Sequence, residues 1–145
     1  MSEEESRITF LAAVPQFNVQ NLVRTAEYYR DTLGFQIAGY WDGEQVSQAV
    51  DNSPLFAILC RDYIQVFFNQ AEQSDARAER AEGVYDVYFR VTGVDALASE
   101  LLARGAEVIE GPESREYGQR ELVVKDCNGL LLVFGEATSS APEAA

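Results

Sequence analysis

The chemistry open to this chain is narrow, because its 145 residues contain no histidine. A His-based triad and an imidazole general base are therefore excluded. The two cysteines, Cys60 and Cys127, form no C-x-x-C motif, and a Gly-rich phosphate loop and a G-x-S-x-G motif are also missing. No histidine can activate either thiol, so we expect both to be structural or incidental. Carboxylates and aromatic side chains remain.

Composition limits the partners. The formal net charge of −13 argues against nucleic acid and against an anionic membrane surface, and it favours a cationic ligand. The length fits one domain with a real core. No apolar run approaches the length that spans a bilayer, and the acidic N-terminus does not resemble a signal peptide. We expect a cytoplasmic protein with reduced thiols.

Two stretches of the chain predict helices followed by strands. In residues 21–35 the apolar positions Leu22, Ala26, Tyr29 and Leu33 share one helical face. Asn21 suits the N-cap, and a strand follows at residues 35–40. Residues 91–109 repeat the design, with Val94, Leu97, Ala98, Leu101 and Leu102 as the apolar face. Gly34 and Gly105 suit the left-handed positions that end the two helices.

The two stretches belong to an internal duplication. Val19 aligns with Val91, and each half ends in a hairpin, over residues 57–68 with a turn at 61–62 and over 121–134 with a turn at 128–129. Cys60 aligns with Cys127. The order and spacing predict an α+β fold of two tandem βαβββ modules. Short strands at 46–50 and 106–109 and a loop at 111–116 complete the pattern.

We expect one domain over residues 8–136. Module 1 spans about 8–69, a polar linker about 70–82, and module 2 about 83–136. Residues 1–7 are acidic and are expected to be flexible, and residues 137–145 are expected to form a disordered tail.

The same residues carry a family resemblance. Residues 28–35, YYRDTLGF, resemble the F-Y-R-D-x-L-G-F signature of the vicinal oxygen chelate superfamily. Residues 126–129, DCNG, resemble its D-P-D-G motif, and Tyr117-Gly118 resembles its W/Y-G. This superfamily includes glyoxalase I, extradiol dioxygenases, fosfomycin-resistance enzymes and bleomycin-resistance proteins. The resemblance implies curled mixed sheets around a cleft, but this fold hosts many activities.

The resemblance also locates the metal ligands of such proteins. The matching positions are Val14, Val66, Asp86 and Val133. Three are aliphatic, and one carboxylate does not hold Zn, Ni, Mn or Fe. A register slip would instead bring Gln16 or Gln65 inward. We therefore expect no metal and no other cofactor, and glyoxalase I or extradiol dioxygenase activity is not expected.

A cleft with few polar groups is typical of small-molecule sites. The resemblance places Asp86 beside Tyr88 among valines, where burial raises a carboxyl pKa or demands a cationic partner, which would be a ligand, Arg90 or Arg120. The same register points Phe68 into the cleft. The residues we expect to bind ligand are Trp41, Phe56, Tyr63, Phe68, Asp86, Tyr88 and Tyr117. Any of these aromatic rings would equally serve as core.

Three functions stay open. The first, which we favour, is a metal-free binding protein similar to bleomycin-resistance proteins that sequesters a flat aromatic or cationic molecule. The second is a metal-independent enzyme of lyase or isomerase type, with Asp86 as base and Tyr88 or Tyr117 as hydrogen-bond donor. The third is a non-catalytic interaction module.

The resemblance further implies a homodimer, because relatives complete the cleft with a second module of the same or the partner chain. Pro15 lacks an N–H for a strand ladder, so it predicts an edge or bulged first strand. In bleomycin-resistance proteins the N-terminal strand crosses to the partner subunit.

Overall fold

The computed structural model describes residues 7–138 of the chain. The predicted flexible N-terminus and C-terminal tail lie largely outside the described residues. Within this range the helices are α1 (Leu22–Asp31) and α2 (Val94–Ala103). The strands are β1 (Gln16–Val19), β2 (Gln36–Trp41), β3 (Val46–Ser47), β4 (Phe56–Arg61), β5 (Ile64–Gln70), β6 (Val87–Arg90), β7 (Glu107–Ser114), β8 (Gln119–Lys125) and β9 (Leu131–Ala137).

The strands form two mixed sheets that follow the duplication. Sheet 1 has the order β1-β5-β4-β2-β3, and sheet 2 has the order β6-β9-β8-β7. In each sheet the strand before the helix pairs in parallel with the last strand of the same half. The predicted α+β fold is therefore confirmed, and neither sheet closes into a barrel. Strand β1 lies at a sheet edge directly after Pro15, where a missing N–H is tolerated.

Helix α1 begins and ends where its sequence predicts. The Asn21 side chain accepts a hydrogen bond from the Arg24 N–H at 3.1 Å, which satisfies a donor that the first turn leaves free. Gly34 follows with a φ of 75°, a left-handed conformation that glycine adopts without a steric penalty. Between these ends Leu22, Ala26 and Tyr29 are buried against sheet 1.

Each sheet buries one face under its helix. Leu59, Val66 and Phe68 of sheet 1 and Leu122 and Leu132 of sheet 2 belong to one continuous core, and none is more than 1% exposed. Because side chains alternate along a strand, the residues between them lie on the opposite face of each sheet. That opposite face carries no helix.

Three boundaries differ from the sequence prediction. Strand β3 is only two residues long, whereas a strand over residues 46–50 was expected. Strand β7 continues to Ser114 through Pro112, although residues 111–116 were expected to form a loop. Its register shifts twice against β8, and an edge strand with such irregularities accommodates a proline. Strand β9 extends to Ala137 because Gln119 pairs with that residue.

The modules meet at two junctions. At the first, which we call the α1 junction, the Tyr29 hydroxyl of module 1 donates to Asp126 of module 2 at 2.7 Å. At the second, the α2 junction, Arg61 of the β4–β5 turn forms a bidentate ion pair with Glu100 of α2, with both distances 2.9 Å. The rings of Phe35 and Phe89 connect the two cores between them, with centroids 6.3 Å apart.

Candidate ligand-binding site

The helix-free face of sheet 1, the first open face, is apolar and aromatic. Trp41 pairs with Phe56, and Ile58 pairs with Phe67, so these four side chains lie side by side on three strands. The Phe56 and Phe67 rings are 5.2 Å apart, and Trp41 is 38% exposed. The first open face therefore offers a hydrophobic wall that the chain itself leaves partly uncovered.

The helix-free face of sheet 2, the second open face, contains a buried carboxylate. Glu121 on β8 is only 4% exposed. Its Oε2 accepts a hydrogen bond from the Tyr88 hydroxyl at 2.6 Å, and its Oε1 accepts one from the Tyr117 hydroxyl at 2.5 Å. Arg115 Nε lies 3.4 Å from Oε1. Three donors thus offset the cost of removing this charge from water.

A glycine allows Tyr88 to reach Glu121. Tyr88 is on β6, Glu121 is on β8, and β9 runs between them with Gly135 opposite Glu121. A Cβ on Gly135 would lie 2.0 Å from the Tyr88 hydroxyl oxygen and 2.5 Å from its Cζ, so the phenol crosses β9 where a side chain is absent. Close approach, and not backbone conformation, requires the glycine here.

Both phenols stay protonated at neutral pH. Burial, followed by the hydrogen bond that Tyr117 donates to Glu121 and by the charge of Glu121, raises the pKa of Tyr117 to about 12. The same causes in the same order raise the pKa of Tyr88 further above its ordinary value. The two tyrosines are therefore hydrogen-bond donors with fixed rings, not bases.

These residues border a cavity of about 480 Å³, the tyrosine cavity, a volume within the range of small-molecule sites. Its lining consists of Gly83, Tyr85, Tyr88, Arg90, Tyr117, Gln119 and Glu121. A second and larger cavity of about 940 Å³, the inter-module groove, lies beside the α2 junction. Phe35, Phe89 and Phe134 line the groove, and Arg90 lines both cavities.

The structure groups some of the predicted ligand-binding residues and separates others. Tyr88 and Tyr117 line the tyrosine cavity, Trp41 and Phe56 lie on the first open face, and Tyr63 is fully exposed at the rim of the inter-module groove. The remaining two, Asp86 and Phe68, line neither cavity.

The expectation for Phe68 was wrong because the register is displaced by one residue. Phe68 is fully buried beneath α1, with its ring 4.9 Å from that of Tyr29. Val66 lies on the same core face, and Val14 precedes β1. Module 1 instead has the register that places Gln16 and Gln65 on the open face. There Gln16 pairs with Phe67, and Gln65 pairs with Cys60.

Asp86 has a partner that the sequence analysis did not name. Arg80 of the linker donates to its Oδ2 at 2.8 Å, and the Leu131 N–H donates to the same oxygen at 2.8 Å. Arg120 instead pairs with Asp95. The Asp86 side chain is 5% exposed, so this ion pair fixes the linker against β9.

The donor set does not fit a metal ion. Val66 and Val133 have no donor atoms, and Asp86 is engaged by Arg80. Residues 7–138 contain no group of three or more His, Cys, Asp or Glu side chains placed to hold a metal. Both cysteines are free, and burial raises the pKa of Cys127 to about 11, so its thiol stays protonated.

Sequence reasoning missed Glu121 and Gly135. Glu121 begins an otherwise apolar run on β8, and a carboxylate next to this run was the available signal. The need for a glycine at position 135 becomes visible only when Tyr88 is placed across β9.

Solved structures of other proteins share this fold. TioX from Micromonospora sp. ML1 is 17% identical with a TM-score of 0.66, and covers 86% of this chain and 96% of its own. The bleomycin-binding protein from Streptomyces verticillus, solved with copper(II)-bleomycin, is 22% identical with a TM-score of 0.60 and covers 92% and 100%. TnmS3, an antibiotic-binding protein from Streptomyces sp. CB03234, is 17% identical with a TM-score of 0.61 and covers 90% and 100%.

Comparison with curated protein sequences found no match. No helix in the described range is long and apolar enough to cross a membrane. The family model named Glyoxalase/Bleomycin resistance protein/Dioxygenase superfamily matches residues 10–134, nearly the whole chain. With the fold and both signature motifs in agreement, the chain belongs to this superfamily.

Proposed function

We propose that the chain is a metal-free small-molecule binding protein that sequesters a flat, cationic aromatic ligand against its second open face. The observation that carries this proposal is the cluster of Glu121 with Tyr88 and Tyr117. The buried carboxylate holds both phenols by their hydroxyl groups, which fixes the rings at the border of the tyrosine cavity. Fixed rings lose little entropy when a planar ligand stacks on them.

Charge favours a cationic ligand. The chain carries a formal net charge of −13, which attracts cations over a Debye length and raises their association rate. Tyrosine faces add a cation–π attraction, about 0.5–2 kcal/mol each depending on desolvation. The antibiotic-binding relatives support sequestration as the role, by analogy alone.

We further propose that the protein acts as a homodimer in which the first open face of one protomer covers the second open face of its partner. Trp41, Tyr88 and Tyr117 are 38%, 44% and 62% exposed, so both open faces present aromatic surface that a partner would cover. Phe10 and Leu11, before β1, are more than 90% exposed. Size-exclusion chromatography with light scattering is expected to give a dimer at micromolar concentration, and a monomer would refute this part.

The geometry gives less support to an enzyme. Asp86, the expected base, is paired with Arg80, and the phenols of Tyr88 and Tyr117 are held as donors to Glu121. A binding role requires only the arrangement that is present.

Rhodamine B methyl ester, a planar cation, is a suitable probe because its binding is read by fluorescence anisotropy. We expect it to bind the wild-type protein with an affinity that EDTA does not change. Glu121→Gln should weaken binding about tenfold, because it removes both the charge and one acceptor for the phenols. Glu113→Gln is the matched control, since Glu113 also pairs with Arg115 but is 62% exposed. Equal effects of the two variants, or no binding at all, would refute the proposal and favour an interaction module.

Gly135→Ala tests the placement of Tyr88 without removing any polar group. The added methyl group would overlap the phenol, so we expect Tyr88 to leave Glu121 and rhodamine B methyl ester to bind several-fold more weakly. In a Tyr88→Ala background the same glycine substitution should have no further effect on binding. An additive effect would show that Gly135 does not act through Tyr88.

A further inference from the structure

Arg90 lies where the two cavities meet. It is on β6 two residues after Tyr88, so both side chains lie on the second open face. Arg90 is exposed, and it is among the residues that line the tyrosine cavity and the inter-module groove. A ligand stacked on Tyr88 that is longer than one ring system would therefore pass Arg90.

The cations near Arg90 already have carboxylate partners. Arg61 pairs with Glu100, Arg115 pairs with Glu110, Glu113 and Glu121, and Arg120 pairs with Asp95. Among residues 7–138, the Arg90 guanidinium has neither an ion pair nor a side-chain hydrogen bond. It is the cavity-lining cation of the described chain whose donors are not engaged.

The carboxylates around these cavities do not explain Arg90. Glu121 is held by two phenols and Arg115. Glu136 accepts from the backbone N–H groups of Gly93 and Val94 at 2.7 and 3.1 Å, and so caps α2. Asp62, the remaining carboxylate without a partner, lines only the inter-module groove. The Arg90 guanidinium at the mouth of an aromatic cavity therefore has donors available for a ligand.

We propose that Arg90 binds an acidic substituent of the ligand, so that the ligand is a planar aromatic carrying both a positive charge and a carboxylate. This inference rests on the proposed function of the tyrosine cavity and narrows its ligand class. The guanidinium fork matches a carboxylate with two parallel hydrogen bonds. The acidic surroundings would otherwise repel the carboxylate of such a ligand. Arg90 offsets this repulsion at the place where the carboxylate would bind.

Rhodamine B and its methyl ester form a matched pair for the test. They share one cationic ring system, and only rhodamine B has an ionised carboxylate at neutral pH. We expect Arg90→Ala to weaken rhodamine B binding about fivefold to tenfold, while the affinity for the ester changes less than about twofold. Arg90→Lys should be intermediate, because lysine keeps the charge and loses the fork.

Arg77→Ala is the control for net charge, since Arg77 is exposed and lines neither cavity. It should leave the ratio of the two affinities unchanged. The inference is wrong if Arg90→Ala changes both dyes equally, as loss of guanidinium stacking would, or if Arg77→Ala alters the ratio as much. In either case binding of the ester keeps the proposed function intact. If neither dye binds the wild-type protein, both proposals fall.

Discussion

The two junctions between the modules occupy equivalent places in a duplicated chain, yet they are built from different chemistry. In the alignment that places Val19 on Val91 and Cys60 on Cys127, Tyr29 matches Leu101 and Arg61 matches Asn128. At each junction a helix of one module packs near the last hairpin turn of the other. The α1 junction is closed and buried, whereas the α2 junction is an ion pair beside an open groove.

The α1 junction satisfies every contact of a buried carboxylate from within the chain. Asp126 is 5% exposed and accepts from the Tyr29 hydroxyl, while its other oxygen accepts from the backbone N–H groups of Asn128 and Leu130. The Asn128 amide also donates to the Thr25 hydroxyl at 2.9 Å. The signature residues Tyr29 and Asp126 therefore hold the modules together, whereas Tyr117, from the third motif, borders the tyrosine cavity.

The α2 junction is more exposed to solvent than the α1 junction. Arg61 and Glu100 keep 28% and 34% of their side chains exposed, and Arg61 also donates to the Leu33 carbonyl at 2.7 Å. That carbonyl is near the C-terminal end of α1, where a cation is favourable. Ala96 and Leu97 stand where the α1 junction has Arg24 and Thr25, and these apolar side chains line the groove. One junction is therefore closed by buried contacts, and the other borders a cavity.

Asp126→Ala is expected to have the largest effect on this comparison. It leaves the Tyr29 hydroxyl and two backbone N–H groups without acceptors in a buried place, so the free energy of unfolding should fall by about 3 kcal/mol. Urea denaturation at neutral pH would measure it. Tyr29→Phe, which removes a single donor, should cost about 1 kcal/mol and serves as the graded control. A loss below that of Tyr29→Phe would contradict the assigned role of Asp126.

Arg61→Ala should have a smaller effect, about 1 kcal/mol, because water replaces a partly exposed ion pair at modest cost. The same denaturation experiment applies. Arg30→Ala is the matched control: Arg30 pairs with Glu27 and Asp31 on the exposed side of α1 and makes no contact across the junction. If Arg61→Ala costs as much as Asp126→Ala, the two junctions are equally important and the contrast fails.

The sequence predicted the fold because local signals agreed with the duplication. Asn21 caps the start of α1, and Gly34 and Gly105 adopt the left-handed conformation after each helix. Gly129 suits its turn for the same reason, with a φ of 92°. Strand β7 was the exception, since Gly111 and Pro112 are typical of loops. The flanking residues Glu110 and Glu113 pair with β8, and this nonlocal interaction keeps the segment in the sheet.

The site was harder to predict, because its residues come together across strands. Tyr88 and Tyr117, which line the tyrosine cavity, were named from their type and position, but their common partner Glu121 was not. Asp86 was predicted to be the carboxylate of the site because its true partner was not recognised. Arg80 is in a linker without a periodic pattern, so the sequence did not indicate that its side chain would contact Asp86. A displacement of one residue in β5 moved Phe68 from the expected cleft into the core, as the period of two in a strand requires.

The pH dependence of stability gives the finest test, because the two junctions should respond in opposite directions. Burial raises the pKa of Asp126 above its ordinary value of 3.8, so the native state binds its proton more tightly than the unfolded state. As pH rises above 3.8, the native state loses this proton, and the contribution of Asp126 to the free energy of unfolding falls. Hydrogen bonding to Arg61, the largest cause, lowers the pKa of Glu100 below 4.5, so its contribution is complete above that pH and is lost as pH falls through the native pKa.

Asp126→Asn and Glu100→Gln remove these two titrations while keeping the side-chain shapes. The free energy of unfolding of the wild-type protein minus that of Asp126→Asn should decrease as pH rises from 3.8 towards neutrality. The same difference for Glu100→Gln should increase as pH rises towards 4.5 and then stay constant. Guanidinium chloride would screen the exposed pair, so urea titrations at low salt are the measurement. If both differences in unfolding free energy changed with pH in the same direction, the donors around Asp126 would stabilise mainly its charged form. The α1 junction would then be an ionic junction like the α2 junction, but less exposed to solvent.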